Sequence, residues 1–201
     1  MKVLGFSDLH LSRGRAAVLV EASREADLVI GAGDFCNQRE GLSEAMTLIK
    51  GLAAPCVVVP GNCESADELR TAANEGMIVL HGNAAEVAGL RFFGLGYGVP
   101  ETPFGAWSCD LSEPRAEEML APCEHADIMV FHSPPKGIAD VTSTGVSVGS
   151  TAIRDAIARV QPTLAVCGHI HDAWGERGRV GDTVVANLGP SVNWFDIEPA
   201  T

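Results

Sequence analysis

The chain has 201 residues, 46% of them apolar, and a formal net charge of −12. This length suits one globular domain over 1–201, and the apolar share excludes a disordered polymer. The acidic balance argues against a broad duplex-DNA surface, and no apolar run approaches the roughly 18 residues of a membrane span.

The start, MKVLGFSDLH, lacks a signal-peptide core because Asp8 and His10 interrupt it, so a cytoplasmic location is expected. KVLGF at 2–6 predicts a strand, 14–25 a short helix, and LVIGAG at 28–33 a second strand. LSEAMTLIKGL at 42–52 has helical periodicity, and CVVVP at 56–60 is again strand-like. Ser65 predicts a cap for a helix over 66–74, with Glu68 completing a capping box. Such alternation indicates βαβ units and a parallel sheet covered on both faces.

The second half is richer in strands. MIVLHG, AAEVAG and LRFFGLG are closely spaced β segments whose short links suit hairpins. A helix over 113–121 leads to the strand DIMVFH. The following stretch, SPPKGIADVTSTGVSVGS, is too rich in Gly, Pro, Ser and Thr to predict an element, and loops this long often line a site. A helix over 150–160 precedes TLAVCGHIH, and TVVANLG and VNWFDIE supply the last strands. An α+β fold with two sheets and outer helices is expected. Cys36, Cys56, Cys63, Cys109, Cys123 and Cys167 form no CxxC pair, which favours free, buried thiols over a disulfide framework.

Seven oxygen- or nitrogen-bearing side chains stand at the ends of these apolar runs: Asp8 and His10 in FSDLH, Asp34 in GAGD, Asn62 in PGN, His132 in VFH, and His169 and His171 in CGHIH. Singly, each has an ordinary reading. A DxH is commonly a turn carboxylate beside a half-buried imidazole, Asp34 a helix cap, and Gly-Asn a turn. Four of the six histidines lie at these strand ends, however, and donors of this kind bind hard or borderline divalent cations. His81 and His125 fall outside the pattern and read as structural or surface groups.

Five ordered blocks carry a resemblance: Asp8-Leu9-His10, Gly33-Asp34-Phe35-Cys36-Asn37, Gly61-Asn62-Cys63-Glu64, His132, and Gly168-His169-Ile170-His171. Over residues 3–189 the chain resembles the calcineurin-like metallophosphoesterase superfamily. The resemblance implies a four-layer αββα sandwich with two mixed β-sheets, of the metallo-dependent phosphatase kind. It implies two divalent ions, with Mn, Fe, Zn or Ni suiting the donors better than magnesium alone. One ion would be held by Asp8, His10, Asp34 and His171, the other by Asp34, Asn62, His132 and His169, with Asp34 bridging. Hydrolysis of a small phosphate ester by a metal-bridging water would follow, with Asp34, Asn62 and His132 at its centre.

Many members carry histidine where this chain has Cys63. A thiol cannot match imidazole in proton transfer near neutral pH, so esters with poor leaving groups should suffer most. Cysteine at this position resembles a small GNC-type phosphodiesterase branch, and phosphodiesters are the expected substrates. Glu64, where much of the family has Asp, is expected to hold the turn or make an outer contact. The alternatives are a phosphomonoesterase and a non-catalytic scaffold of the same fold; self-association stays open. Arg13, Arg15 and Arg39 could each clamp phosphate or be solvated loop residues, and Asn37 could touch substrate or be a plain turn residue. Trp107 and the 133–149 loop could cover the site or stack a base, and surface packing or a subunit contact explains Trp107 equally well.

Overall fold

The computed structural model describes residues 1–198. Four strands whose residues are almost all apolar, β1 (Lys2–Phe6), β2 (Leu28–Gly31), β3 (Cys56–Val58) and β4 (Met77–Val79), pair in parallel in that order. The last strand of the chain, β11 (Asn193–Asp196), adds antiparallel to β1. The second sheet runs β5 (Asn83–Val87), β6 (Leu90–Leu95), β7 (Ile128–Phe131), β8 (Leu164–Cys167), β10 (Thr183–Asn187) and β9 (Arg177–Val180). Its centre is parallel, and the two edges are antiparallel hairpin partners.

Side-chain alternation along the strands sorts the core into layers. Val3, Leu28, Ile30 and Val57 of the first sheet meet Phe92, Ile128, Val130 and Val166 of the second in one buried cluster. The opposite set from the first sheet, including Leu4, Phe6 and Val29, is covered by α1 (Arg13–Ala22), α2 (Leu42–Leu48) and α3 (Ala66–Ala72). Phe93, Met129 and Ala165 are covered by α4 (Glu113–Leu120) and α5 (Thr151–Val160). The expected αββα sandwich with two mixed sheets is the observed fold.

Local signals account for most boundaries. Ser65 and Glu68 form the capping box at the start of α3, and Ser150 caps α5. The second helix ends at Leu48 rather than near Gly51, because Ile49 leaves helical geometry and its N–H shares Ala45 and Thr47 carbonyls. Sequence reasoning missed β9. Its residues, Arg-Gly-Arg-Val, alternate between exposed and half-buried and carry no apolar run, so only pairing with β10 makes them a strand. The 133–149 stretch forms no helix or named strand; isolated bridges join Pro135 to Ser150 and Val141 to Ser147. No helix among the described residues is long and apolar enough to cross a membrane.

Candidate metal centre

The seven singled-out side chains follow the C-terminal ends of β1, β2, β3, β7 and β8, all parallel strands, where an open α/β sheet opens its crevice. Four of them sit on left-handed backbone: Asp8 at φ 52°, His10 at 45°, Asp34 at 55° and His169 at 67°. Non-glycine residues adopt that region at a cost, and such strain gathers at functional sites. Close backbone approach makes the turns fit. A Cβ on Gly33 would lie 2.6 Å from the Gly61 backbone and 2.7 Å from His132 Nδ1, and one on Gly61 would collide with Asp34.

Asp34 is the hub. Its Oδ1 accepts the Cys63 N–H at 2.8 Å and lies 3.5 Å from His132 Nε2, while Oδ2 lies 3.6 Å from His10 Nε2. Asp8 is buried; its Oδ2 accepts the Ser7 hydroxyl at 2.5 Å and the Trp174 indole N–H at 3.1 Å, and Oδ1 accepts the His169 N–H at 3.1 Å. His171 Nε2 stands 3.7 Å from Asp8 Oδ1 and 3.2 Å from His10 Nε2. The His169 ring packs 4.9 Å from His132, centroid to centroid. Ligand atoms gather within 4.8 Å of one another in three sets: Asp8, His10 and His171; Asp8, Asp34 and His132; and His10, Asp34 and Cys63. The thiol of Cys63, free and buried as expected, is therefore within reach of the same centre.

The donor set fits cations on a specific contact. His132 Nδ1 faces only the Ala32 carbonyl, at 2.8 Å, so Nδ1–H donates there and Nε2 carries a lone pair. That nitrogen points at Asn62 Oδ1, 3.1 Å away. The Asn62 amide is oriented by its Nδ2, which donates to Ser108 Oγ at 3.0 Å. Two acceptors thus face each other beside the buried carboxylates of Asp8 and Asp34, and only positive charge reconciles them. Burial pushes the His132 imidazole down, but Asp34, Asp8, the Ala32 carbonyl and Glu64 together outweigh it and raise it, the same demand expressed as a proton. Burial holds His169 neutral, with its pKa pushed down to about 3. A neutral imidazole is the form that binds a metal ion.

The turn that carries Asn62 is locked by Glu64. Its fully buried carboxylate accepts the N–H groups of Gly61 at 2.6 Å, Asp34 at 2.8 Å, Phe35 at 3.2 Å and Cys36 at 3.4 Å. Burial, with Asp34 alongside, nevertheless pushes its pKa up to about 7. Asn37 Oδ1 lies 2.9 Å from His10 Nδ1, so it orients a donor-bearing ring.

The arginines divide. Arg13 pairs with Glu44 at 2.7 Å, and Arg39 grips Glu68 with two bonds of 3.0 and 2.7 Å, so both are engaged away from the centre. Arg15 lies over the Trp174 ring, which touches both Asp8 and His171. Trp174 had no sequence signal, since a tryptophan three residues past a GHIH block is unremarkable until the fold turns it back. Trp107 stacks on Phe104, with centroids 5.6 Å apart and planes 6° apart. His81 packs on Tyr97 and accepts the Gly96 N–H, and His125 is exposed, both away from the centre. The six cysteines are free, and all but Cys109 are buried.

Comparison with known proteins agrees with this picture. The human metallophosphoesterase domain-containing protein 1 is 32% identical over 147 residues, which cover 70% of this chain and 42% of that protein. A probable glycerophosphodiester phosphodiesterase, GpdQ, of Arcobacter nitrofigilis is 28% identical over 160 residues, 72% of this chain and 56% of its own. The chain thus spans less than half of the human relative. Among solved structures, TT1561 of Thermus thermophilus superposes with a TM-score of 0.73 at 14% identity, covering 97% of this chain and 98% of that one. The phosphopantetheinyl hydrolase of Mycobacterium tuberculosis gives 0.66 at 15% identity, over 94% and 88% of the two chains. The calcineurin-like phosphoesterase superfamily domain model matches residues 1–201, and the chain belongs to that superfamily.

Proposed function

We propose that this chain is a metal-dependent phosphoesterase, on one domain over 1–201, that hydrolyses small phosphodiesters in preference to monoesters. The observation that carries the reading is the pair of facing acceptors, His132 Nε2 and Asn62 Oδ1, set between two buried carboxylates. Asp8, His10, Asp34 and His171 would hold one divalent ion, and Asp34, Asn62, His132 and His169 the other. The two oxygens of Asp34 look toward different histidines, which suits a shared ligand. When bound, such ions supply Lewis acidity toward phosphoryl oxygens and acidify a water. Mn, Fe, Zn or Ni suits these imidazole and carboxylate donors.

The chain's own groups do the positioning. Ala32 fixes the His132 tautomer, Ser108 fixes the Asn62 amide, and Glu64 holds the backbone between Asp34 and Asn62. Cys63 bears on substrate class and on a GNC-type phosphodiesterase branch. Burial and the Asp34 charge push its thiol up, and a thiol does not act as the imidazolium-like acid that histidine supplies at this position. A leaving group that needs little proton assistance then serves best. The diesterase name of one relative supports the same preference.

The test is turnover of bis-p-nitrophenyl phosphate against p-nitrophenyl phosphate by metal-reconstituted protein, with metal content measured and Asp34→Asn alongside. Metal-dependent turnover that favours the diester and collapses in the variant is expected. Protein loaded with two ions that hydrolyses neither ester would overturn the reading and put a non-catalytic scaffold in its place.

A further inference from the structure

We propose that a cavity beside His169 receives a planar aromatic group of the ester, with Phe104 as its platform; this rests on the hydrolase reading of the metal centre. The cavity measures about 640 Å³, within the size range of small-molecule sites. Its lining includes His169, one of the seven candidate ligands, and the adjoining Ile170, so the cavity borders the candidate metal centre. Most of its walls come from two otherwise irregular segments, 99–104 and 142–149, with Glu113, Lys136 and Thr151 completing them.

Several polar side chains in the lining bond to the protein itself, while Glu101 and Thr151 are exposed there and their side chains bond to none of the described residues. Glu113 accepts the Thr151 and Ala152 N–H groups and the Ser150 hydroxyl, and so holds the start of α5. Thr102 donates to Asp110, Ser147 donates to Asp140, and Lys136 donates to the Ser147 carbonyl. Beside these, Val99, Pro100, Pro103, Phe104, Val148 and Ile170 give the cavity an apolar side. An aromatic ring on the apolar side would bury its faces without stranding a polar group.

Exposure points to the same place. Among the described residues the exposed large hydrophobics are Val18, Phe104, Val141 and Val146, and of these Phe104 lines the cavity. Phe104 is 51% exposed, yet its ring is held parallel to Trp107 and meets the His169 ring edge-on at 6.5 Å. An aromatic held in place while still exposed is a stacking surface. Phosphate at the centre would leave one organic arm of a diester pointing along it.

Two measurements test this. The first compares two phosphodiesters that share a p-nitrophenolate leaving group and retain either a methyl or a naphthyl arm. The naphthyl ester should show a KM about tenfold lower, the value expected for burying one aromatic face. In Phe104→Ala that ratio should fall toward one. Equal KM values in the wild type, or a preference that survives Phe104→Ala, would overturn the proposal. The second follows amide resonances of the metal-free protein as naphthol or its saturated, non-planar counterpart decalol is added. Naphthol should shift Phe104, Val148, Gly149 and Ile170, and decalol should not. No shifts, or equal shifts with both alcohols, would overturn the proposal even if hydrolysis is confirmed. Naphthol-specific shifts in a protein that hydrolyses nothing would keep the pocket and discard the hydrolase reading.

Discussion

Where the strand ends meet, backbone and side chains interlock. Asp34, Gly33, Gly61 and Glu64 leave no room for an extra methyl group, and strained φ values are held in place by hydrogen bonds. The segments that rise beside them, 97–110 and 133–149, are the opposite. They carry exposed Phe104, Val141 and Val146, and their polar groups bond mainly within the segments themselves. The floor has almost no freedom to vary without losing its donor geometry, whereas the walls can change side chains at little cost to the fold. Ser108, which orients the Asn62 amide, ties the two regions together; otherwise the proposed chemistry and the proposed selectivity rest on different parts of the chain.

The largest effects should come from the floor. Asp34→Asn removes the charge that both histidine groups face, and it should lower metal-dependent turnover by about 10³-fold or more while leaving the secondary structure intact. Metal content measured after dialysis should fall with it. Retained activity with full metal loading would show that Asp34 is not the hub its geometry suggests.

Glu64→Ala attacks the same region without altering the side chain of a proposed ligand. Four backbone N–H groups lose a buried acceptor, and a loss of about 3 kcal/mol or more is expected from urea unfolding. Glu64→Asp should fall between, since the shorter arm cannot reach all four donors. If Glu64→Ala unfolds at the wild-type midpoint, the interlocked floor is not what holds the turn.

Cys63→His sharpens the contrast between floor and wall. It restores a group able to assist the leaving oxygen, so the ratio of alkyl-ester to aryl-ester turnover should rise by about tenfold or more. A wall substitution such as Phe104→Ala should instead act on the preference for the retained arm. An unchanged ratio in Cys63→His would mean that proton assistance at this position does not limit the reaction.

These contrasts also explain what could be read from the sequence. The floor is legible because its residues fall in short blocks at the ends of apolar runs, and apolar runs report strands directly: β1, β2, β7 and β8 each end within three residues of a singled-out donor or carry it next in line. Trp174 and Phe104 were not legible. Their roles depend on tertiary return of the chain, Trp174 to Asp8 across 166 positions and Phe104 to His169. Cys63 was visible as a departure, but its closeness to His10 and Asp34 was not, because spacing along one turn says nothing about which way a side chain points. The edge strand β9 lacked a signal for a simpler reason: an edge with arginines outward needs no apolar alternation.

The smallest expected effect lies in the wall and separates its order from that of the floor. Asp140 is buried, and its Oδ2 accepts the N–H groups of Gly137 at 2.9 Å and Gly149 at 2.8 Å and the Ser147 hydroxyl at 2.5 Å. Burial pushes this carboxyl up, but Ser147, Gly137, Gly149 and Lys136 together outweigh it and hold it below the ordinary carboxylate value. A carboxylate whose folded pKa is depressed stabilises the folded chain fully above the unfolded value near 4, and that stabilisation is lost as pH falls through the folded value. Asp140→Asn should therefore cost about 1–2 kcal/mol at neutral pH and progressively less below about pH 4. Amide exchange should quicken over 136–149 and stay unchanged at Asp34, Asn62 and Glu64. If exchange quickens at the floor as well, the two regions open together, and the separation between them fails.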